Sequence, residues 1–538
     1  MGDTAPMRLL STALLAAGVA AVALTGPASA QTPRTTFVVA DKIDDIVSID
    51  PHESFEFSGS NLIHNVYDQL FVLDPQNPAA GFKPGVVESY TLSADGLVYT
   101  FKVRDGIKFH SGNALSAADA VYSLQRAVKL KKTPVFILAN FGLNEGNVDA
   151  NVKQTGPLEF TLTVDKPYAP SFVLNCLTAM IASVVDSKLV MQNAGTDMGN
   201  GWLKQNSAGS GAFRLVRYQP SESWTIERND NWWRGKPQMQ RVIMRHVPEP
   251  GTQRLLVERG DIDVASNLQP QDITALRSNA NIKIQDSLKG YIAYIALNQK
   301  HPILSKPQVA EAVKWLIDYD GMHATFLKDQ FIPHQAFLPL TFPGELKEKP
   351  YTLNVAKAKE LLAAAGHPNG FEINLDVRNN FPFQNMAEAF QATAAQAGIK
   401  VNIIPAESRQ VLTKYRARQH ELVLQSWGPD YSDPHTNADT FASNPNNDDT
   451  ATTNVGKLAW RTAWGIPALS AKTAAALLER DGEKRVQMYI DIQREFQKTA
   501  PFAIINQQIV QSAVRRNVDG YISGAPVMPA VYWQATKS

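Results

Sequence analysis

Cysteine is almost missing: Cys176 is the only one in the chain. A single thiol excludes an internal disulfide and a cysteine-based metal cluster. Excess charge is missing as well, since 52 basic residues face 51 acidic ones for a net charge of +1. Nothing is left over to neutralise a polyanion, so the whole-chain footprint of a nucleic-acid binder is absent. Beyond the N-terminus no apolar run approaches the roughly 20 residues of a membrane span. The patterns H-E-x-x-H, C-x-x-C and G-x-x-x-x-G-K-[ST] do not occur, which removes the usual signs of a zinc hydrolase, a thiol oxidoreductase and a phosphate-binding loop. The ten histidines are scattered: His52 and His64 are twelve apart, His323 and His334 eleven apart, and neither pair has metal-ligand spacing on a helix. Gly209-Ser-Gly211 has Arg214 where a dinucleotide motif needs its third glycine, and it opens a strand rather than a helix. A hydrolase triad assembled from distant residues leaves no local pattern, and nothing here points to one. The chain reads as a non-enzyme with no cofactor.

What is present begins at the N-terminus. Arg8 precedes the short Ala-rich apolar run LLSTALLAAGVAAVALTG, which ends in Ala28-Ser29-Ala30. A basic residue, an apolar segment and an A-x-A site make a secretory signal peptide over residues 1–30, with the mature chain starting at Gln31. Asp3 is unusual in such a leader, so Met7 is an alternative start. Cys176 lies too far from the cleavage site to carry a lipid. The expectation is an exported, soluble periplasmic protein of a Gram-negative bacterium, and not a lipoprotein.

At 538 residues the chain exceeds one core, and two or three domains are expected. Leu158–Val164 alternates apolar and polar residues without error, as a half-buried strand does, and Val98–Val103 behaves the same way. Ser116 and Asp119 form a capping box ahead of the stripe Val121, Leu124, Val128. Asn354 caps a helix that stops at Gly366. Mixed strands and helices give an α/β or α+β class. Asp286–Gly290 reads as a boundary before an apolar strand, Tyr291–Leu297, and a second strand follows at Thr499–Gln507. Two such strands bracketing about two hundred residues suggest one domain inserted into another.

Four blocks resemble the family 5 extracellular solute-binding proteins of ABC importers, the dipeptide, oligopeptide and nickel-binding kind. They are ADGLVYTFKVRDGIKFHSGNALSAADAVYSL, GSGAFRLVRYQPSESWTIERNDNWW, ALNQKHPILSKPQVAEAVKWLIDYDGM and AKELLAAAGHPNGFEINL, in family order. The resemblance implies an α/β, two-lobed periplasmic binding protein fold (class II type, cluster C) with a hinge. Lobe I would be residues 31–288 plus 507–538, with an extra subdomain at about 76–189, and lobe II residues 289–506. It also implies a small-molecule ligand, most readily a di- or oligopeptide, an inner-membrane ABC permease as partner, no nucleic acid, and a monomer. Opines, oligosaccharides, metal chelates and haem remain alternative ligands, because fold does not fix ligand.

The resemblance places a ligand site at Trp427-Gly-Pro-Asp430-Tyr431-Ser-Asp433-Pro434. In peptide-binding relatives the first aspartate of this segment takes the ligand's α-ammonium. A fixed carboxylate in a partly desolvated cleft gains roughly 1.5–3 kcal/mol from such a charge-assisted bond, and Trp427 would supply an apolar wall. Asp430 could equally be a turn residue of a Pro-rich loop, and Asp433 before Pro434 reads as a turn or cap. Phe55, Glu56, Phe57 and Ser58 match a loop that pairs with peptide backbone as a strand would, unless the two phenylalanines are core residues. Arg378 stands roughly where dipeptide-binding relatives carry a carboxylate-binding arginine. Trp460, Arg461 and Trp464 form either a ligand wall or a buried part of lobe II. No metal site is expected, with His435 a weak candidate for a metal chelate.

Overall fold

Strict alternation along Val98–Val103 puts Tyr99, Phe101 and Val103 in the interior, as a period-two pattern requires. This strand pairs with Val87–Leu92 and Glu159–Thr163, and Val152–Gly156 completes a four-stranded antiparallel sheet. The helix Ala117–Leu130 covers it, and Asp119 accepts the Ser116 N–H at 2.9 Å as the capping box demands. The Asn354 side chain accepts the Lys357 N–H at 2.9 Å at the start of Val355–Ala364. The structure is a computed structural model and describes residues 32–524 and 527–538. The signal-peptide reading therefore lies outside the described residues. No described helix is long and apolar enough to cross a membrane.

The two lobes share one eleven-stranded mixed sheet. We call lobe II the side of the sheet that carries Lys400–Ala406, Glu372–Arg378 and Leu422–Trp427, and lobe I the side that carries Val264–Ala265, Thr36–Asp41, Arg241–His246, Ser223–Arg228 and Phe213–Gln219; the eleventh strand, Phe331–Pro333, pairs with Phe502–Arg515 off this path. Two long antiparallel strands, Ile282–Leu297 and Phe502–Arg515, stand between these sets and pair along nearly their whole length. Their register shifts between Leu288 and Ile292 and again between Ala293 and Tyr294. Asp286–Gly290, which the sequence presents as a boundary, lies inside the first of these strands: Asp286, Ser287 and Leu288 pair in register with Gln511, Val510 and Ile509, and the irregularity falls after Leu288. Its turn-forming composition shows up as a bulge because the partner strand keeps hydrogen-bonding on both sides of it.

Separate apolar cores serve the parts. One fills the four-stranded sheet and its helices around Phe101, Phe160 and Phe172. Another lies under Phe37, Trp224 and Tyr532 in lobe I. Lobe II is packed on both faces of its strands, around Leu375 and Phe390 on one and Tyr294, Phe441 and Phe496 on the other. Gly209 and Gly211 belong to lobe I packing: a Cβ on Gly209 would sit 2.1 Å from the Val66 carbonyl oxygen, and the Gly211 N–H donates to that same oxygen at 2.9 Å. The lone G-x-G is where a strand start presses on a helix end.

Candidate functional site

Asp430 lies in the connection between the strand Leu422–Trp427 and the helix His435–Phe441. Pro429 and Pro434 keep this connection from continuing either element. Its N–H donates to Thr436 Oγ1 at 3.1 Å, which fixes the backbone. The carboxylate faces a cavity of about 690 Å³ between the lobes, within the range of small-molecule sites. Burial alone pushes the Asp430 carboxyl up to about 7. Among the described residues no lysine, arginine or histidine comes within ion-pair distance of it.

The opposite wall comes from lobe I. Phe55, Glu56, Phe57 and Ser58 all line the cavity, and the two rings are 39% and 57% exposed, so neither is a core residue. Phe57 reaches across to Tyr291 on the first long strand, with ring centroids 5.6 Å apart. The expected strand-like pairing segment is shorter than its four residues: Phe57 and Ser58 already belong to the helix Phe57–Val66, and Glu56 before it is extended. Leu62, Ile63 and Val66 supply the apolar stripe that draws the chain into a helix there. Glu56 holds the entry by accepting the Phe55 N–H and the Ser54 hydroxyl.

Two further ionisable groups close the cavity toward lobe I. Asp41 ends the strand Thr36–Asp41 and accepts the Lys42 N–H at 2.7 Å. Burial lifts its carboxyl to about 6. Lys289 projects from the first long strand, and burial lowers its ammonium to about 8 against the opposing pull of Asp41. Sequence reasoning missed Asp41, Lys289 and Tyr291. A lysine directly before an apolar strand was the one signal for Lys289.

Other expected residues lie elsewhere. Tyr431 lines the cavity but is buried, edge-on to Phe172 of the four-stranded-sheet subdomain. Trp427 is half-buried in the lobe II core under the Arg461 guanidinium and is not part of the lining. Arg461 is spent on the Val455 carbonyl at 2.6 Å and on the Tyr415 ring. Trp460 donates to the Asp448 carbonyl under Arg418, and Trp464 packs on Phe496 and Phe502. The wall expected of Trp427, Trp460, Arg461 and Trp464 is therefore interior packing of lobe II: a loop-like stretch rich in large rings was folded inward to fill a core. Arg378 stacks on Phe383 at 3.7 Å, donates to Ser426 Oγ at 2.7 Å and stays outside the lining. His435 is buried, with Nδ1 at 3.1 Å from the Tyr489 hydroxyl and its imidazole lowered to about 4 by burial. Among the described residues no group of His, Cys, Asp and Glu could hold a metal ion.

Residues 81–449 match the family described as bacterial extracellular solute-binding proteins, family 5 Middle. Di/tripeptide-binding protein 2 of Pseudomonas aeruginosa is 25% identical over 477 residues, 85% of this chain and 87% of its own. The glutathione-binding protein GsiB of Pectobacterium atrosepticum is 25% identical over 516 residues, covering 94% of this chain and 95% of its own. The solved structure of HbpA2 from Haemophilus parasuis superposes with a TM-score of 0.80 at 22% identity, over 94% of this chain and 100% of that one. A match over well more than half of the length, on a two-lobed fold with a cavity between the lobes, means that this chain belongs to the family 5 extracellular solute-binding proteins of ABC importers.

Proposed function

We propose that the protein captures a di- or oligopeptide, or another solute with a free amine, in the periplasm and delivers it to an inner-membrane ABC permease without chemically changing it. The observation that carries this reading is Asp430: a carboxylate in the interlobe cavity, raised to about 7 by burial and without a cationic partner among the described residues. An ammonium entering there would regain the solvation that burial removes. Phe57 and Tyr291 supply apolar surface in the same cavity, and the backbone at Phe55 and the extended Glu56 would offer pairing that ignores side-chain identity. Relatives named for dipeptides, tripeptides and glutathione agree in chemistry, since all of those ligands carry an ammonium.

Closure would bend the molecule where the two long strands change register, moving 289–506 against 31–288 plus 507–538. The deciding experiment is calorimetric titration with Ala-Ala, trialanine and glutathione and with their N-acetylated forms. Free amines are expected to bind at least tenfold tighter. Equal binding of free and blocked forms would remove the ammonium role of Asp430, and turnover of a peptide, abolished by a cavity substitution, would replace transport with catalysis.

A further inference from the structure

The cavity that holds a carboxylate without an ion-pair partner also holds a cation without one, among the described residues. Lys289 Nζ donates to the Ser523 carbonyl oxygen at 3.0 Å. An ammonium has three donors, and among the described residues no carboxylate lies within ion-pair distance of this one. Asp41 is its nearest electrostatic influence, too far for an ion pair and occupied by the Lys42 N–H. The backbone makes room for the lysine: Gly524 has φ +96°, and a Cβ there would stand 3.2 Å from Nζ. Lys42, the other lysine in the lining, is more than half exposed and reaches only Asp44.

We infer that Lys289 binds the C-terminal carboxylate of the peptide whose ammonium Asp430 takes, so that one cavity clamps both poles of a zwitterion. The inference rests on the peptide reading above and adds the second anchor. Lys289 and Tyr291 both line the cavity two residues apart on one strand, roughly 7 Å along it. The segment that carries Asp430 lies against Tyr291: a Cβ on Gly428, two residues before Asp430, would stand 3.4 Å from the Tyr291 ring. Both anchors line the same cavity, so a short extended peptide, at roughly 3.5 Å per residue, can offer its ammonium to one and its carboxylate to the other. Arg378 is less suited, because its guanidinium is engaged by Ser426 and Phe383 outside the lining. Lys289 belongs to the first long strand rather than to a loop, so its ammonium is held by the same element whose bend would close the lobes.

The test compares trialanine with trialanine amide on wild type, Lys289→Met, Lys289→Arg and Arg378→Gln, by calorimetry, with thermal melting to establish that each variant is folded. Wild type and Arg378→Gln are expected to prefer the free acid at least tenfold. Lys289→Met should lose that preference while still rejecting N-acetyl-trialanine, and Lys289→Arg should keep part of it. A free-acid preference that persists in Lys289→Met overturns the assignment and leaves the carboxylate to the uncapped start of the helix Phe57–Val66. A preference lost only in Arg378→Gln overturns it in favour of that arginine. Failure of wild type to bind trialanine, Ala-Ala or glutathione at all overturns the peptide reading and this assignment together, a result distinct from the other two.

Discussion

Asp433 and Arg485 face each other through two hydrogen bonds of 2.7 and 2.8 Å, with both side chains shut away from solvent. Burial works to raise the Asp433 carboxyl, but the charge and the paired hydrogen bonds of Arg485 outweigh it and hold the group below the usual carboxylate range. Asp433 also accepts the His435 N–H at 2.9 Å, so it caps the helix as well as neutralising the arginine. Arg485 reaches on to Ser171 of the subdomain at 3.2 Å, which ties lobe II to lobe I along this rim. Asp433→Ala should therefore cost far more than a lost cap: about 3–5 kcal/mol, because it strands a buried guanidinium. Urea unfolding reads this directly, and a loss near 1 kcal/mol would show that the pair is dispensable. The carboxyl is depressed in the folded state, so its contribution is present above the unfolded value near 4 and lost as pH falls through the lower folded value.

Asp430→Ala is expected to weaken a free-amine ligand by more than tenfold, and to leave N-acetylated ligands nearly unaffected. Removing one member of a buried charge contact leaves the other unpaired at a cost of about 2–5 kcal/mol. Because the empty-site carboxyl stands at about 7, affinity for an ammonium should fall as pH drops below that value, and it should fall again above about 8, where the ligand's own α-amino group loses its proton. Titrations at pH 5.5, 7 and 8.5 check this, and Asp430→Asn should lose the fall on the acid side.

Phe57→Ala should lower affinity for ligands with apolar side chains by roughly three- to tenfold while changing thermal stability little. The ring is more than half exposed and pairs with the Tyr291 ring across the cavity, so its truncation opens no interior cavity. An equal loss for polyalanine and leucine-containing peptides would point instead to a general role in closure.

Trp464→Ala should do the reverse. The indole packs against Phe496 and Phe502, and its removal should cost about 3–5 kcal/mol without altering the preference between free and N-blocked ligands. Parallel unfolding and binding measurements separate the two effects.

Small-angle scattering should show a smaller radius of gyration with saturating trialanine than without. The two long strands are the continuous link through which the halves can bend, and ligand contacts from both walls favour the closed form. An unchanged radius under saturation would count against closure.

Local features were legible because their causes are local. The alternation of Val98–Val103, the reciprocal reach of Ser116 and Asp119, and the Asn354 cap each depend on residues within a few positions. The cavity position of Asp430 was legible only through family resemblance, since a carboxylate between two prolines looks the same in any turn. Phe55 and Phe57 alternate like a strand, and the helical stripe that claims Phe57 begins only at Leu62. The partner of Asp433 lies 52 residues away, beyond any spacing rule. Trp460 and Trp464 misled because large rings in a loop-like stretch carry no mark of which side they will face. Lys289 was hidden by its neighbours, whose turn-like composition became a bulge in a strand rather than an end to one.

The unpartnered state of Asp430 has a consequence for folding. A carboxyl near 4 in the unfolded chain and near 7 in the folded one is the reverse of a stabilising salt bridge. The folded form holds its proton more tightly, so the empty protein should lose stability as pH rises from about 4 to 7, by on the order of a few kcal/mol. Asp430→Asn should then melt at a higher temperature than wild type at neutral pH while binding free-amine ligands more weakly. The chain thus leaves one charge for a bound ammonium to complete, so that thermal stability at neutral pH reports whether the cavity is occupied.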